Sequence, residues 1–296
     1  MESPPEQAGQ TGPIPGSSQG TQQDPDAFPP VPRWVYDPPK QDPPVLHEEV
    51  YEQAQKDGST VRGGYVVIDK PAGLLAVPGI GEDKQDCARS RVHAMYPFAT
   101  GPMTVHRLDV ATSGVLVLAL DPATHRNLSV QFERRRITKR YLALVEGHLD
   151  PALGDGGVIQ TPMRKDLDRS PAQLVDFDRG RDSQTRWRVL ARETLLGEPV
   201  TRIEFEPVTG RTHQLRVHAA DMKPGAVRVV GPGPSGEPPV EFADGMGRGL
   251  GAPIVGDELY AGRMDLGDRL MLHAWTITLN HPVSGKMMSV RAPEPF

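Results

Sequence analysis

His106-Arg107-Leu108-Asp109-Val110-Ala111-Thr112-Ser113-Gly114 runs directly into the apolar stretch Val115-Leu116-Val117-Leu118-Ala119-Leu120. The apolar stretch reads as a buried strand, and the small residues before it read as a tight corner. Asp109 therefore stands in a turn beside a basic residue, carried on a rigid element. A lone carboxylate held in this way is a candidate for acid, base or nucleophilic chemistry.

Outward from this stretch, strand patterns appear at Tyr65-Val66-Val67-Ile68, Tyr141-Leu142-Ala143-Leu144-Val145, Trp187-Arg188-Val189-Leu190, Val200-Thr201-Arg202-Ile203-Glu204-Phe205 and Trp275-Thr276-Ile277-Thr278-Leu279. Asp121-Pro122 supplies a cap and a first-turn proline, and Leu128 and Phe132 follow four apart, so a helix is predicted over 122–136. A second helix is predicted over 211–222. These elements do not repeat a βαβ unit, so the expected fold class is α+β, with a large mixed or antiparallel sheet and flanking helices.

Residues 1–30 are rich in Pro, Gly, Gln and Ser and offer almost no large apolar side chains, so a disordered tail is expected there. One domain is expected over 31–296. Within it, residues 221–252 hold eight Gly and five Pro, the composition of an inserted loop. The single cysteine, Cys87, rules out an internal disulfide, and no apolar run is long enough to span a bilayer. The first residues resemble neither a signal peptide nor a transit peptide, so a cytoplasmic protein without a membrane partner is expected.

The formal net charge is -5, which taken alone speaks against a nucleic-acid partner. The average hides an asymmetry. Residues 1–60 carry ten acids and three bases, leaving 28 acids and 30 bases for the remainder, a balance of +2. Bases cluster in Arg134-Arg135-Arg136 with Lys139-Arg140, and in Arg164-Lys165 with Arg169, Arg179 and Arg181. Beside the Asp109 turn, such clusters suit a phosphate track.

Further motif blocks stand in order along the chain. They are Asp69-Lys70-Pro71-Ala72-Gly73-Leu74-Leu75-Ala76-Val77-Pro78-Gly79, Lys139-Arg140-Tyr141, Gly210-Arg211-Thr212-His213-Gln214-Leu215-Arg216-Val217-His218, Gly256-Asp257-Glu258-Leu259-Tyr260 and Leu272-His273-Ala274. Together with the Asp109 block they resemble the RluA-type pseudouridine synthases. That resemblance implies an elongated mixed sheet around a central RNA-binding cleft. It also implies an isomerase that detaches a uracil from its ribose and rejoins it through carbon, with no cofactor. The tail-to-core passage Tyr36-Asp37-Pro38-Pro39 and the C-terminal Arg291-Ala292-Pro293 are most similar to the branch that modifies both large-subunit ribosomal RNA and the tRNA anticodon stem-loop. Two departures are the charged passage from Leu46 to Gly63 and the 221–252 insertion.

Carried over residue by residue, the resemblance implies that Asp109 is the catalytic carboxylate. It implies that Tyr141 stacks on the flipped base and helps the proton leave carbon 5, and that Arg216 pairs with the Asp and keeps it ionised. Arg107 would fill the gap left by the flipped uridine. His106, Lys70, Arg211, Lys139 and Arg140 are expected RNA contacts; Lys70 also reads as a support of the site, and His106 as a structural hydrogen-bonder. Whether Asp109 attacks the sugar or removes a sugar proton stays open at this point.

No metal is expected. His213 and His218 are five apart without a carboxylate at ligand spacing, and Cys87 has no partner. No phosphate-binding glycine motif follows a strand, which speaks against a nucleotide cofactor. The alternative from another class is a non-catalytic RNA-binding or RNA-folding protein on the same fold. A glycosidase would want a second acid opposite Asp109, and none stands out in the blocks. A monomer is the default expectation.

Overall fold

The computed structural model describes residues 35–54, 57–221, 249–260 and 263–296. The N-terminal tail and nearly all of the 221–252 insertion lie outside the described residues. The main sheet contains β1 (Val45–Ala54), β2 (Thr60–Lys70), β3 (Ser113–Ala119), β4 (Thr138–Glu146), β5 (Gly156–Gln160), β8 (Gln184–Leu195), β9 (Glu198–Pro207), β10 (Leu272–Asn280) and β11 (Met287–Arg291). Two short strands, β6 (Met163–Lys165) and β7 (Gln173–Val175), form a separate hairpin. The order across the sheet is β1-β2-β3-β10-β4-β9-β8-β5, with β11 paired to β10. Neighbours run antiparallel except β3 and β10, which are parallel. The sheet is thus mixed, as the α+β expectation required.

Strand β3 is buried along its whole length, and its alternation explains how an unbroken apolar run is satisfied. Val115, Val117 and Ala119 face one side and pack with Leu128 of α2 (Pro122–Glu133). Leu116, Leu118 and Leu120 face the other, against Val66, Ile68 and Val92 of α1 (Ala88–Met95). Each fully buried side chain of this size contributes about 1.5–3 kcal/mol. On the other half of the sheet, Ala143, Val145, Ile203 and Phe205 pack with Leu215 and Ala219 of α3 (Gln214–Ala220).

The expected helices are present and shorter than predicted. Asp121 caps α2 by accepting from the backbone N–H groups of Ala123 and Thr124 at 2.9 and 3.0 Å. The charged passage from Leu46 to Gly63 is largely strand among its described residues. It forms β1 and the start of β2, and its carboxylates occupy an edge strand, where charge discourages pairing with other chains.

The centre of the sheet depends on one close approach. Gly114 pairs with Ala274 across the parallel β3–β10 contact, at φ +108. A Cβ there would lie 2.2 Å from the Ala274 carbonyl oxygen. Gly114→Ala is therefore expected to cost at least about 3 kcal/mol, through steric conflict and a disfavoured backbone. Urea unfolding would show it; a midpoint within error of the wild type would contradict the assignment.

Candidate active site

Four motif blocks meet where β3 begins beside β10 and the middle of β4. The Asp109 turn closes through the Thr112 N–H, which donates to the Asp109 carbonyl at 3.1 Å. The preceding loop is tied on by the Gly73 N–H, donating to the Val110 carbonyl at 2.9 Å. Tyr141 pairs with Ala274 on one side and Phe205 on the other. Asp109, Tyr141, Arg216, Arg107, His106, Arg211 and Lys139 together line a cleft of about 440 Å³.

The third wall is the turn into α3. Gln214 pins it with four hydrogen bonds: its Oε1 accepts from the Thr209 hydroxyl and the Arg211 N–H, and its Nε2 donates to the Gln184 carbonyl and the Thr185 hydroxyl. This aims the next turn of the helix inward and buries Arg216. Its guanidinium forks onto Asp257, Nε to Oδ2 at 2.8 Å and Nη2 to Oδ1 at 2.6 Å, and lies 5.2 Å over the Tyr260 ring. Asp257 Oδ1 also accepts from the backbone N–H groups of Leu259 and Tyr260. The Tyr260 hydroxyl bonds His213 Nδ1 at 2.9 Å and accepts from the Gln173 N–H at 2.7 Å.

The electrostatics follow from burial and from Asp109. Burial, then the Asp109 charge, push the Tyr141 hydroxyl above its ordinary pKa, so it stays a neutral proton carrier. Burial opposes the charge on Arg216, but hydrogen bonds to Asp257 and the charges of Asp257 and Asp109 outweigh it and raise its pKa. Burial lowers the pKa of His213, so it is neutral near pH 7.

The family model described as RNA pseudouridylate synthase matches residues 64–221, the span from β2 through α3. The dual-specificity RNA pseudouridine synthase RluA of Haemophilus ducreyi is 36% identical over 233 residues, covering 78% of this chain and 90% of that relative. The Escherichia coli K12 protein of the same name gives the same figures. This chain belongs to the RNA pseudouridine synthase family. It is an isomerase. The solved structure titled Human RNA Pseudouridylate Synthase Domain Containing 1 superimposes with a TM-score of 0.57 at 26% identity, over 85% of each chain.

Against the expectations from sequence, the synthase brings most site residues together and changes four roles. Arg216 is not paired with Asp109; among the described residues its ion pair is to Asp257, and Asp109 acts on it through space. Lys70 is not an RNA contact. It is fully buried, and its Nζ donates to the carbonyls of Pro71 and Leu74 at 2.8 Å and Val110 at 3.2 Å. Burial pushes its ammonium down to about 7, against the opposing charges of Asp109 and Asp69. Arg140 points away from the cleft, since alternate residues of a strand face opposite sides, and pairs with Glu206 at 3.5 Å. His106 lines the cleft, but its Nε2 accepts the Val117 N–H at 2.9 Å and its ring stacks on Phe132, with burial pushing it down to about 3. It lines the cleft as a neutral ring, not a cation.

Asp257, Tyr260 and His213 were unassigned from sequence, although their blocks were visible. His213 and His218 turn to different partners, His218 bonding Ser183 and Thr185.

Two outcomes are expected. Asp257→Ala strands a buried guanidinium and should cost about 3–5 kcal/mol of unfolding free energy. His218, fully buried, is pushed down to about 3. The folded state then binds fewer protons than the unfolded chain between about pH 3 and an unfolded pKa near 6.5. Its stabilisation is complete above 6.5 and is lost as pH falls toward 3, by up to about 1.4 kcal/mol per pH unit. Urea midpoints should fall less steeply below pH 6.5 in His218→Gln; parallel slopes would refute this.

Proposed function

We propose that the synthase isomerises specific uridines in structured RNA, ribosomal RNA or a tRNA anticodon stem-loop, with Asp109 as catalytic residue, Tyr141 on the flipped base and Arg216 supporting the charge. The observation carrying this reading is the convergence of three separate blocks on one cleft with an electropositive rim. A non-catalytic RNA-binding role has no observation in its favour.

Uridine and pseudouridine are isomers, so the reaction breaks C1′–N1, turns the base, forms C1′–C5, releases the C5 proton and returns a proton to N1, with no net redox change. Asp109 faces the cleft with its carboxylate free of protein hydrogen bonds among the described residues, open to the ribose whether it attacks carbon or takes a sugar proton. Tyr141, two neighbours from the Asp109 turn across β10, offers its ring to the base and its protonated hydroxyl as a relay, passing its own proton to solvent as the C5 proton arrives. Arg216, held by Asp257, contributes a fixed positive charge that needs no reorganisation as negative charge develops. Arg107, exposed on the rim, is available to stack in the gap left by the uridine. The same reading has the synthase work in the cytoplasm, alongside ribosomal and transfer RNA, as a monomer.

Pseudouridine mapping by carbodiimide-dependent primer extension on tRNA and ribosomal RNA fragments tests this. Wild type should convert one or more uridines. Asp109→Asn should lose at least about a thousandfold in rate while still binding RNA, and Tyr141→Phe should fall by a smaller factor. Conversion by Asp109→Asn at the wild-type rate would reject the assignment.

A further inference from the structure

The cleft continues past Asp109 to a second wall made by the end of α2 and the start of β4, lined by Phe132, Glu133, Arg135, Ile137 and Lys139. The end of α2 closes in a paired turn. The Arg136 N–H donates to the Gln131 carbonyl at 2.9 Å and the Arg135 N–H to the Phe132 carbonyl at 3.1 Å. This pattern demands a left-handed backbone at the residue after the cap, a position that glycine usually fills. Here it is Arg135, at φ +53. A long branched-polar side chain is kept where the backbone favours none, and strain of this kind collects at functional sites.

Arg135 does not recover the strain through packing, because it is exposed. Among the described residues it makes no ion pair, and neither does Lys139, although Glu133 lines the same wall. Lys139 is half-buried, and its Nζ lies against the turn before α3, 4.0 Å from where a Cβ on Gly210 would stand. Burial and the charge of Arg135 both lower its pKa. Two cations brought together on one wall of a cleft, neither ion-paired to a carboxylate among the described residues, are complementary to an anion. Lys139 also sits two residues before Tyr141 on the same face of β4, a separation of about 7 Å.

We propose that Arg135 and Lys139 form a phosphate clamp for a phosphodiester next to the isomerised uridine, so that the base reaches Tyr141 only when the neighbouring backbone is held. This rests on the proposed function and adds to it a subsite, on the α2–β4 wall, for the backbone beside the target uridine.

The test uses the full chain and the RNA fragment converted in the mapping above. Copies of it carry an uncharged methylphosphonate at one phosphate at a time around the target uridine. Arg135→Gly removes the charge and relieves the left-handed strain, so it should melt no lower than wild type. It should nevertheless bind the unmodified RNA less tightly, and the slope of log affinity against log salt should flatten by about 0.7 for each cation removed. One methylphosphonate position should weaken binding to wild type about tenfold and leave the Arg135→Gly, Lys139→Ala double variant unaffected. Wild-type affinity and salt slope in Arg135→Gly, a lower melting temperature for it, or equal methylphosphonate penalties in both proteins would each overturn the clamp. Conversion of the unmodified RNA by wild type reports on the proposed function separately, so failure of one does not mimic failure of the other.

Discussion

Everything in the site hangs on the rung shared at Ala274. It pairs with Gly114 on β3 in parallel and with Tyr141 on β4 in antiparallel register. The backbone approach at Gly114 leaves no room for a Cβ, so the turn that starts at Asp109, five residues upstream, is brought in beside the strand that carries Tyr141. Two groups of opposite chemical character, an open carboxylate and a proton-retaining phenol, are thereby juxtaposed by backbone pairing, before any side-chain interaction between them is needed. Apolar layers on both faces of β3 hold that rung in place.

Around it, polar groups are spent on positioning. Lys70 binds three carbonyls, two from the loop after β2 and one from the Asp109 turn, and so staples two motif blocks together beneath the cleft. Gln214 pins the turn into α3. Asp257 holds Arg216 in a buried fork that leaves the guanidinium charge fixed in position. Such pairs are costly to desolvate, and their return is a preorganised field at the point where charge develops.

The outer cleft follows a different rule. Its cations, Arg107 and Arg135, are exposed, while Lys139 is only half-buried, and they face solvent that RNA phosphates would replace. Inner residues are locked by protein partners; rim residues are left free for the substrate. This division explains why neutral His106, with its Nε2 committed to Val117 and its ring on Phe132, belongs to the wall and not to the charge.

By itself the sequence determined the β3 strand, the capped helix α2, the α+β class and the block order that carries the resemblance, because each is encoded in local periodicity, capping chemistry or contiguous motifs. It did not disclose that the charged passage after Leu46 is an edge strand, since charge on an edge looks like a loop until the partner strand is known. Nor did it separate the roles of adjacent basic residues. Lys139 and Arg140 are neighbours in one motif and lie on opposite faces of β4; Lys70 is basic and fully buried; Arg216 reaches across to Asp257. Which way a side chain points, and which distant carboxylate or carbonyl meets it, depends on strand register and long-range pairing. Those are decided only when the chain closes on itself.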